Sequence, residues 1–129
     1  MADLGAVSRP DAVAPTEIRV RRASARLEVD FDDGTKWHLP AEYLRVESPS
    51  AAVQGHTPDQ KKVVPGKRDV SIAAVEPIGH YAIRIRFTDG HDTGIFSWDL
   101  LHRLGREQEA RWAAYLSTLA ERGLSRDKG

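Results

Sequence analysis

The sequence predicts an α+β domain. In this domain, two similar hairpin-helix units form a mainly antiparallel twisted sheet of short strands, and a C-terminal helix packs on the sheet. Three observations support this fold: two separate stretches alternate apolar and charged residues, each stretch contains an acid-glycine turn, and the last third carries an apolar stripe at helical spacing. Alternation is typical of half-buried strands, and the stripe is typical of a helix that covers one surface.

The first unit starts at about Glu17. Its alternating residues continue through two strands to Phe31, where Asp32-Asp33-Gly34 predicts a tight turn because glycine reaches positive φ without steric cost. A return strand follows. Proline suits the first turn of a helix, so we expect a short helix from Pro40 to about Val46.

The second unit repeats this order. A strand ends at a turn predicted for Pro77-Ile78-Gly79, and the next strand leads to a second acid-glycine turn, Thr88-Asp89-Gly90. After a short return strand, Ser97 is expected to cap a helix that Gly105 ends.

The two units align at one constant offset. Apolar and turn residues of the first unit then fall on residues of the same kind in the second, which indicates a duplication or two independently similar units. Leu27, Val29, Phe31, Asp33, Gly34, Leu39 and Leu44 fall on Ile83, Ile85, Phe87, Asp89, Gly90, Ile95 and Leu100.

The C-terminal helix is predicted over 106–122, with Gly123 ending it and with its apolar stripe lying on a sheet face. Composition predicts a flexible arm over 1–16 and a charged tail over 124–129, which leaves a single domain over 17–123. The stripe consists of Trp112, Tyr115, Leu116 and Leu119.

Composition limits the classes of function. The 129 residues include 19 basic and 19 acidic residues, so nucleic-acid binding across the whole domain is not expected. The chain has no cysteine, which excludes disulfides, thiolate metal sites and cysteine nucleophiles. No apolar stretch is long enough to span a membrane, and the cytoplasm is the expected location.

The stretch between the two units, residues 45–68, is the part of the chain with the weakest pattern of regular secondary structure. It has no sustained period, and long irregular connections inside compact domains are usually functional or disordered. Basic side chains predominate in it, so we predict contact with a protein or a small anionic ligand. The competing interpretation is a solvated loop whose Arg68 pairs with a carboxylate such as Glu47. The candidate residues are Arg45, Gln54, His56, Lys61, Lys62, Lys67 and Arg68.

Three segments of the chain, YLRVESPSAAVQGH, VPGKRDV and FTDGHDTGIFSWDLL, resemble the gamma-butyrobetaine hydroxylase-like N-terminal domain family, also called DUF971. The resemblance runs from about Glu17 to Gly123. In long eukaryotic members, the domain precedes a 2-oxoglutarate, iron(II) oxygenase domain and carries a structural zinc held by three cysteines and one histidine. This chain resembles a standalone form without the oxygenase domain.

The positions that match the family's zinc ligands are Ser48, Ser50, Val53 and His91. Only the histidine keeps a side chain that zinc favours, because zinc takes thiolate, imidazole or carboxylate. The resemblance therefore implies no zinc here, and we expect no cofactor. We expect the 67–68 end of the segment to fold back on its first half instead.

A metal-dependent role is the alternative. His56 and His91 offer two imidazoles to iron or zinc. Similar domains are appended to Mrp-like cluster-carrier ATPases, which implies a link to iron-sulfur assembly or to an oxygenase partner. No histidine begins the His-x-Asp pattern of iron oxygenases, which argues against an enzyme. The sequence thus favours a non-catalytic cytoplasmic binding or accessory module, and a homo-oligomer stays open.

Overall fold

A computed structural model describes residues 13–55, 57 and 60–128. Within these residues the α+β class is confirmed: six strands form two antiparallel three-stranded sheets, accompanied by four helices. None of the helices in this part of the chain has the length and apolar character needed to cross a membrane. The elements are β1 (Pro15–Arg21), β2 (Arg26–Phe31), β3 (Lys36–Pro40), α1 (Ala41–Val46), α2 (Ala51–Gln54), β4 (Ile72–Ile78), β5 (Ala82–Phe87), β6 (Gly94–Ser97), α3 (Trp98–Arg106) and α4 (Gln108–Glu121).

The two acid-glycine turns have the same geometry. Gly34 and Gly90 take φ values of +89° and +92°, a region that other residues rarely enter. The preceding acid in each turn accepts a hydrogen bond from the backbone N–H two residues later, at 2.9 Å for Asp33 and 3.1 Å for Asp89. Each turn joins the middle strand of its sheet to the third strand, so the two-unit pattern is confirmed.

The offset between the units changes after the second turn. Leu27 pairs with Leu39 in the first sheet, whereas the equivalent Ile83 pairs with Phe96 in the second. Phe96 is fully buried while Ile95 is 47% exposed. The second turn region is longer by one residue, so the predicted matches beyond it are wrong by one position. The buried equivalents are Leu39 with Phe96 and Leu44 with Leu101, in place of Ile95 and Leu100.

Two local predictions need correction. Pro77 and Ile78 belong to β4, so the turn begins later, at Gly79. Proline fits there because β4 is an edge strand, whose outer N–H groups have no ladder partner. A single helical turn, α2, lies where the sequence predicts no regular structure. Ser50 caps it by accepting a hydrogen bond from the Ala52 N–H at 3.2 Å, and so short a turn shows no period.

α3 continues past Gly105 to Arg106, so Gly105 does not end the helix. The residue lies against the indole of Trp37, and a Cβ added to it would lie 2.4 Å from Trp37 Cγ. Glycine is therefore required here by close packing between α3 and β3.

One cluster of buried side chains joins the two units, with members from both sheets, α1 and α3. α4 forms a second cluster, in which Tyr115 and Leu119 pack on Val46 and on residues 63–64. Trp112 borders both clusters. α4 therefore covers α1 and the 45–68 segment, and it connects the segment to the main core.

The predicted N-terminal arm is described only in part, whereas most of the predicted C-terminal tail is described. Of the predicted arm, residues 1–12 lie outside the described residues, and β1 already begins at Pro15. In the predicted tail, residues 124–128 are described, and the backbone N–H groups of Gly66 and Arg68 donate to the carbonyls of Ser125 and Arg126 at 2.9 and 3.0 Å.

Each turn carboxylate contacts the helix of the other unit. Asp33 Oδ2 lies 2.8 Å from His102 Nε2 on α3, and Asp89 Oδ2 lies 2.8 Å from Arg45 Nε on α1. Arg45 and His102 occupy equivalent positions once the extra residue is counted. The two units are therefore linked by a reciprocal pair of polar contacts.

Replacing Gly105 with alanine should lower the free energy of unfolding by about 1–3 kcal/mol, because the new methyl group overlaps the Trp37 ring. Alanine is the better helix former by about 1 kcal/mol, so a gain in stability would contradict the close packing. Urea unfolding measures the change. Arg106→Ala, at the exposed neighbouring position, is the control and should stay within about 0.5 kcal/mol of the unaltered chain.

Candidate functional site

The two ends of the 45–68 segment meet at one carboxylate. Asp89 Oδ2 accepts from Arg45 Nε at 2.8 Å and contacts Lys67 Nζ at 2.6 Å. The expected return of the 67–68 end to the first half is thus made through Asp89, which lies outside the segment. Arg68 instead forms an ion pair with Asp127 of the tail. The interpretation that pairs Arg68 with Glu47 is therefore wrong about the partner.

Contacts within the segment fix its middle. The Lys62 N–H donates to the Val53 carbonyl at 2.7 Å, and the Gln54 side-chain amide donates to the Ser48 carbonyl at 2.8 Å. Gln54, one of the candidate binding residues, therefore positions the backbone around α2.

Asp89 is held ionised by its neighbours. Burial opposes ionisation, but hydrogen bonds from Lys67, from the His91 N–H and from Arg45 outweigh it and lower the pKa of Asp89 to about 2. The Nη1 atom of Arg45 is buried without a hydrogen-bond partner among the described residues. Arg45 and Lys67 therefore hold the segment in place, and their charges are largely engaged by this carboxylate.

A second cluster centres on Glu47, which is only 6% exposed. Its Oε1 lies 3.0 Å from Lys61 Nζ and 2.9 Å from Arg111 Nη1. Arg111 also donates to Glu107 at 2.8 Å, one helical turn earlier. Arg111 lies outside the predicted apolar stripe of α4 and is not among the predicted site residues, although its i, i+4 pair with Glu107 is visible in the sequence.

A small pocket of about 190 Å³ opens between this cluster and α4. Among the described residues, three basic side chains line it, those of Lys61, Lys62 and Arg111, and Glu47 is the one acidic lining residue. Within the described residues, the side chain of Lys62 makes no ion pair. The pocket thus combines the charge of Lys62, which is unpaired in this part of the chain, with those of Lys61 and Arg111, which share the buried carboxylate of Glu47. We call it the Lys62 pocket.

The seven predicted residues separate into distinct places. Arg45 and Lys67 meet at Asp89, while Lys61 and Lys62 line the Lys62 pocket. Arg68 and Gln54 serve the tail and α2. His56 lies outside the described residues, so its predicted pairing with His91 stays a prediction.

The positions matched to zinc ligands form a hydrogen-bond network. Ser48 Oγ and His91 Nε2 share a hydrogen bond of 2.9 Å, and Ser50 Oγ and Thr93 Oγ1 share one of 2.6 Å. Val53 is buried and contributes only hydrocarbon. Two serine hydroxyls that are already engaged in hydrogen bonds and an aliphatic side chain do not fit a zinc site. No group of three or more His, Cys, Asp or Glu that would hold a metal occurs among the described residues.

The backbone of β6 makes room for this network. Ser48 is fully buried, and a Cβ added to Gly94 would lie 2.4 Å from its Oγ. Burial, together with the nearby charge of Arg45, lowers the pKa of His91 below its usual range. His91 is therefore a neutral imidazole at neutral pH.

Comparison with known families settles the relationship. The family model described as gamma-butyrobetaine hydroxylase-like, N-terminal, matches residues 18–102. The chain belongs to this family. The matched range contains both hairpin-helix units and the 45–68 segment, whereas Arg111, α4 and the tail lie beyond it. No curated protein matches the chain significantly.

Solved structures agree with this assignment. An NMR solution structure is 44% identical with a TM-score of 0.78, covering 90% of this chain and 91% of that one. A second NMR solution structure is 39% identical with a TM-score of 0.80, covering 95% and 91%. A crystal structure of a protein with unknown function in the DUF971 family, from Acidithiobacillus ferrooxidans, is 45% identical with a TM-score of 0.60, covering 70% and 91%.

Replacing Asp89 with asparagine should destabilise the protein at neutral pH by on the order of 1–3 kcal/mol, because hydrogen bonds to a charged group are lost. The pKa of Asp89 is lowered on folding, so its contribution is present above about pH 4 and disappears as pH falls towards 2. Urea unfolding between pH 2 and pH 6 should therefore show the two chains converging at low pH. Asp69→Asn, at an exposed position, is the control. If it lost as much stability at neutral pH and regained it at low pH, the assignment to Asp89 would be contradicted.

Replacing Ser48 with alanine should cost about 1–3 kcal/mol in urea unfolding. It leaves the His91 ring and the Ser50 N–H, which donates to Ser48 Oγ at 3.2 Å, without this partner. Ser117→Ala, on the exposed side of α4, is a matched control. Equal stability of the two variants would show that the network is dispensable.

Proposed function

We propose that this protein is a non-catalytic cytoplasmic binding or accessory module that contacts an acidic partner protein through the 45–68 segment. The observation that carries the proposal is the Lys62 pocket, where three basic side chains surround one buried carboxylate. Arg45, Lys67, Arg68 and Gln54 support the shape of the segment. Lys61, Lys62 and Arg111 supply the charge that a ligand would meet.

Charge supports an anionic ligand. Glu47 compensates only part of the positive charge on the pocket lining, and Lys62 lies at the exposed rim. An anion entering the pocket would therefore be attracted by Lys62 and would share Lys61 and Arg111 with Glu47. Because Lys62 is exposed, this attraction weakens as salt increases.

The small volume of the Lys62 pocket supports a ligand that is one chemical group of a larger partner. Pockets for whole drug-sized molecules usually measure about 300–1,000 Å³, whereas this one measures about 190 Å³. A carboxylate or a phosphate has the appropriate size. An acidic side chain or a terminal carboxylate of a partner protein is therefore the ligand that we propose first, with a small anionic ligand as the simpler form of the same chemistry.

Titrating ¹⁵N-labelled protein with a hexaglutamate peptide should shift the amide resonances of Lys61, Lys62 and Arg111 together. Lys62→Glu should weaken the interaction at least about tenfold, because an attractive rim charge becomes repulsive. Lys36→Glu makes the same change in net charge on a distant exposed strand and is the control. If Lys62→Glu binds as the control does, or if the shifts occur elsewhere, the pocket is not the site.

The metal-dependent alternative is a separate proposal. It is motivated by His56 and His91, two imidazoles of the kind that bind iron or zinc, and by the lowered pKa of His91, which favours the neutral form that binds metal. Elemental analysis of purified protein tests it. Stoichiometric metal that disappears in His91→Ala would favour a role near iron-sulfur assembly or an oxygenase partner, and folded metal-free protein would remove that role.

A further inference from the structure

Glu42 on α1 is a buried carboxylate with a specific partner. It is 6% exposed, and Arg126 of the tail donates to both of its oxygens, at 2.9 Å from Nε and 2.7 Å from Nη2. The same guanidinium lies 5.1 Å from the centre of the Trp112 ring. A carboxylate that accepts two parallel hydrogen bonds beside an aromatic face is an arrangement that recognises a guanidinium.

The segment that delivers Arg126 has few other attachments. Residues 124–128 follow Gly123, whose φ is +66°. Two backbone hydrogen bonds join the tail to residues 66–68, and the Leu124 N–H donates to the Leu119 carbonyl of α4 at 2.8 Å. The ion pair of Arg68 with Asp127 is largely exposed, with 46% and 68% of the side chains accessible, and such pairs contribute little. Of the two ion pairs that hold the tail within the described residues, the pair of Arg126 with Glu42 is therefore the less exposed one.

A mostly apolar cavity begins beside this guanidinium. It measures about 730 Å³ and lies between α1, the junction of α3 with α4, and α4 itself. Its lining is mostly apolar and includes the rings of Tyr43 and Trp112 and the side chain of Leu116, which is 38% exposed. Glu42 and Arg126 belong to its polar lining, together with Arg106, Gln108 and Glu109. A peptide with an arginine next to apolar residues would thus meet complementary surfaces.

We propose that Glu42 and Trp112 form a recognition site for an arginine-bearing segment of a partner protein, and that Arg126 occupies this site in cis. The partner places its guanidinium on Glu42 and its apolar side chains in the adjoining cavity, while the tail moves away about Gly123. Arginine is required because lysine offers a point charge in place of the planar fork that binds both oxygens of a carboxylate.

Occupation in cis sets the affinity for the partner. A tethered side chain has an effective concentration of about the millimolar range or above, so an external segment must compete with it. Removing the Arg126 side chain removes this competitor but leaves Glu42, Trp112 and the cavity. Binding of an external arginine should therefore become tighter in that variant.

The test uses the full chain with Arg126→Ala and an acetylated peptide with the sequence of residues 124–128. Binding is followed by the tryptophan fluorescence and by the indole N–H resonance of Trp112. We expect saturable binding to Arg126→Ala, and binding at least about tenfold weaker to the unaltered chain. A peptide with lysine in place of arginine should bind at least about tenfold more weakly than the parent peptide.

Two controls separate recognition from non-specific attraction. Adding Glu42→Gln to Arg126→Ala should abolish binding, whereas Arg122→Ala, an exposed arginine near the tail, should behave as the unaltered chain. If Arg126→Ala does not fold, Arg126→Lys replaces it, because it keeps the charge and loses the bidentate contact. Equal binding to the altered and unaltered chains, equal binding of the lysine peptide, or retained binding without Glu42 would each overturn the proposal.

Discussion

The position of the 45–68 segment depends on the carboxylate of Asp89. This side chain binds Arg45 at the start of the segment and Lys67 near its end, and its own turn is set by Gly90. Because both ends of the segment are held at the same carboxylate, little regular structure is needed between them. Short internal contacts at α2 then fix its middle, and α4 covers it through residues 63–64. The segment is thus ordered by polar contacts at its ends and by apolar contacts along one side.

The same turn also explains how the two units fit together. Asp33 contacts His102 on the second unit's helix, as Asp89 contacts Arg45 on the first unit's helix. Each unit alone has a three-stranded sheet with one covering helix, and the shared cluster of buried side chains lies between them. Asp89 has gained Lys67 as a further partner, which the reciprocal carboxylate lacks among the described residues. The 45–68 segment is therefore attached at Asp89, which contacts Lys67 as well as Arg45.

These attachments change how the basic residues should be interpreted. Most of the cations in the segment neutralise specific carboxylates, so a count of charges overstates the surface that a ligand meets. What remains is a small basic pocket beside α4 and, on its other side, an arginine of the tail that covers a buried acid. Both lie against α4, although the family match ends at residue 102. The C-terminal part thus contributes residues to both surfaces beyond the two hairpin-helix units.

The sequence by itself determined the strands, both acid-glycine turns, the short helix α1 and the approximate extent of α4, because periodicity and turn chemistry are local. It also located the irregular segment between the units. Tertiary structure decided the partners: Arg45 and Asp89 are 44 residues apart, and Arg111 and Glu47 are 64 apart. It likewise decided that Gly105 lies within a helix, because only the approach of Trp37 requires glycine there. Pairing of charges and close packing depend on distances in space, which no local pattern in the sequence records.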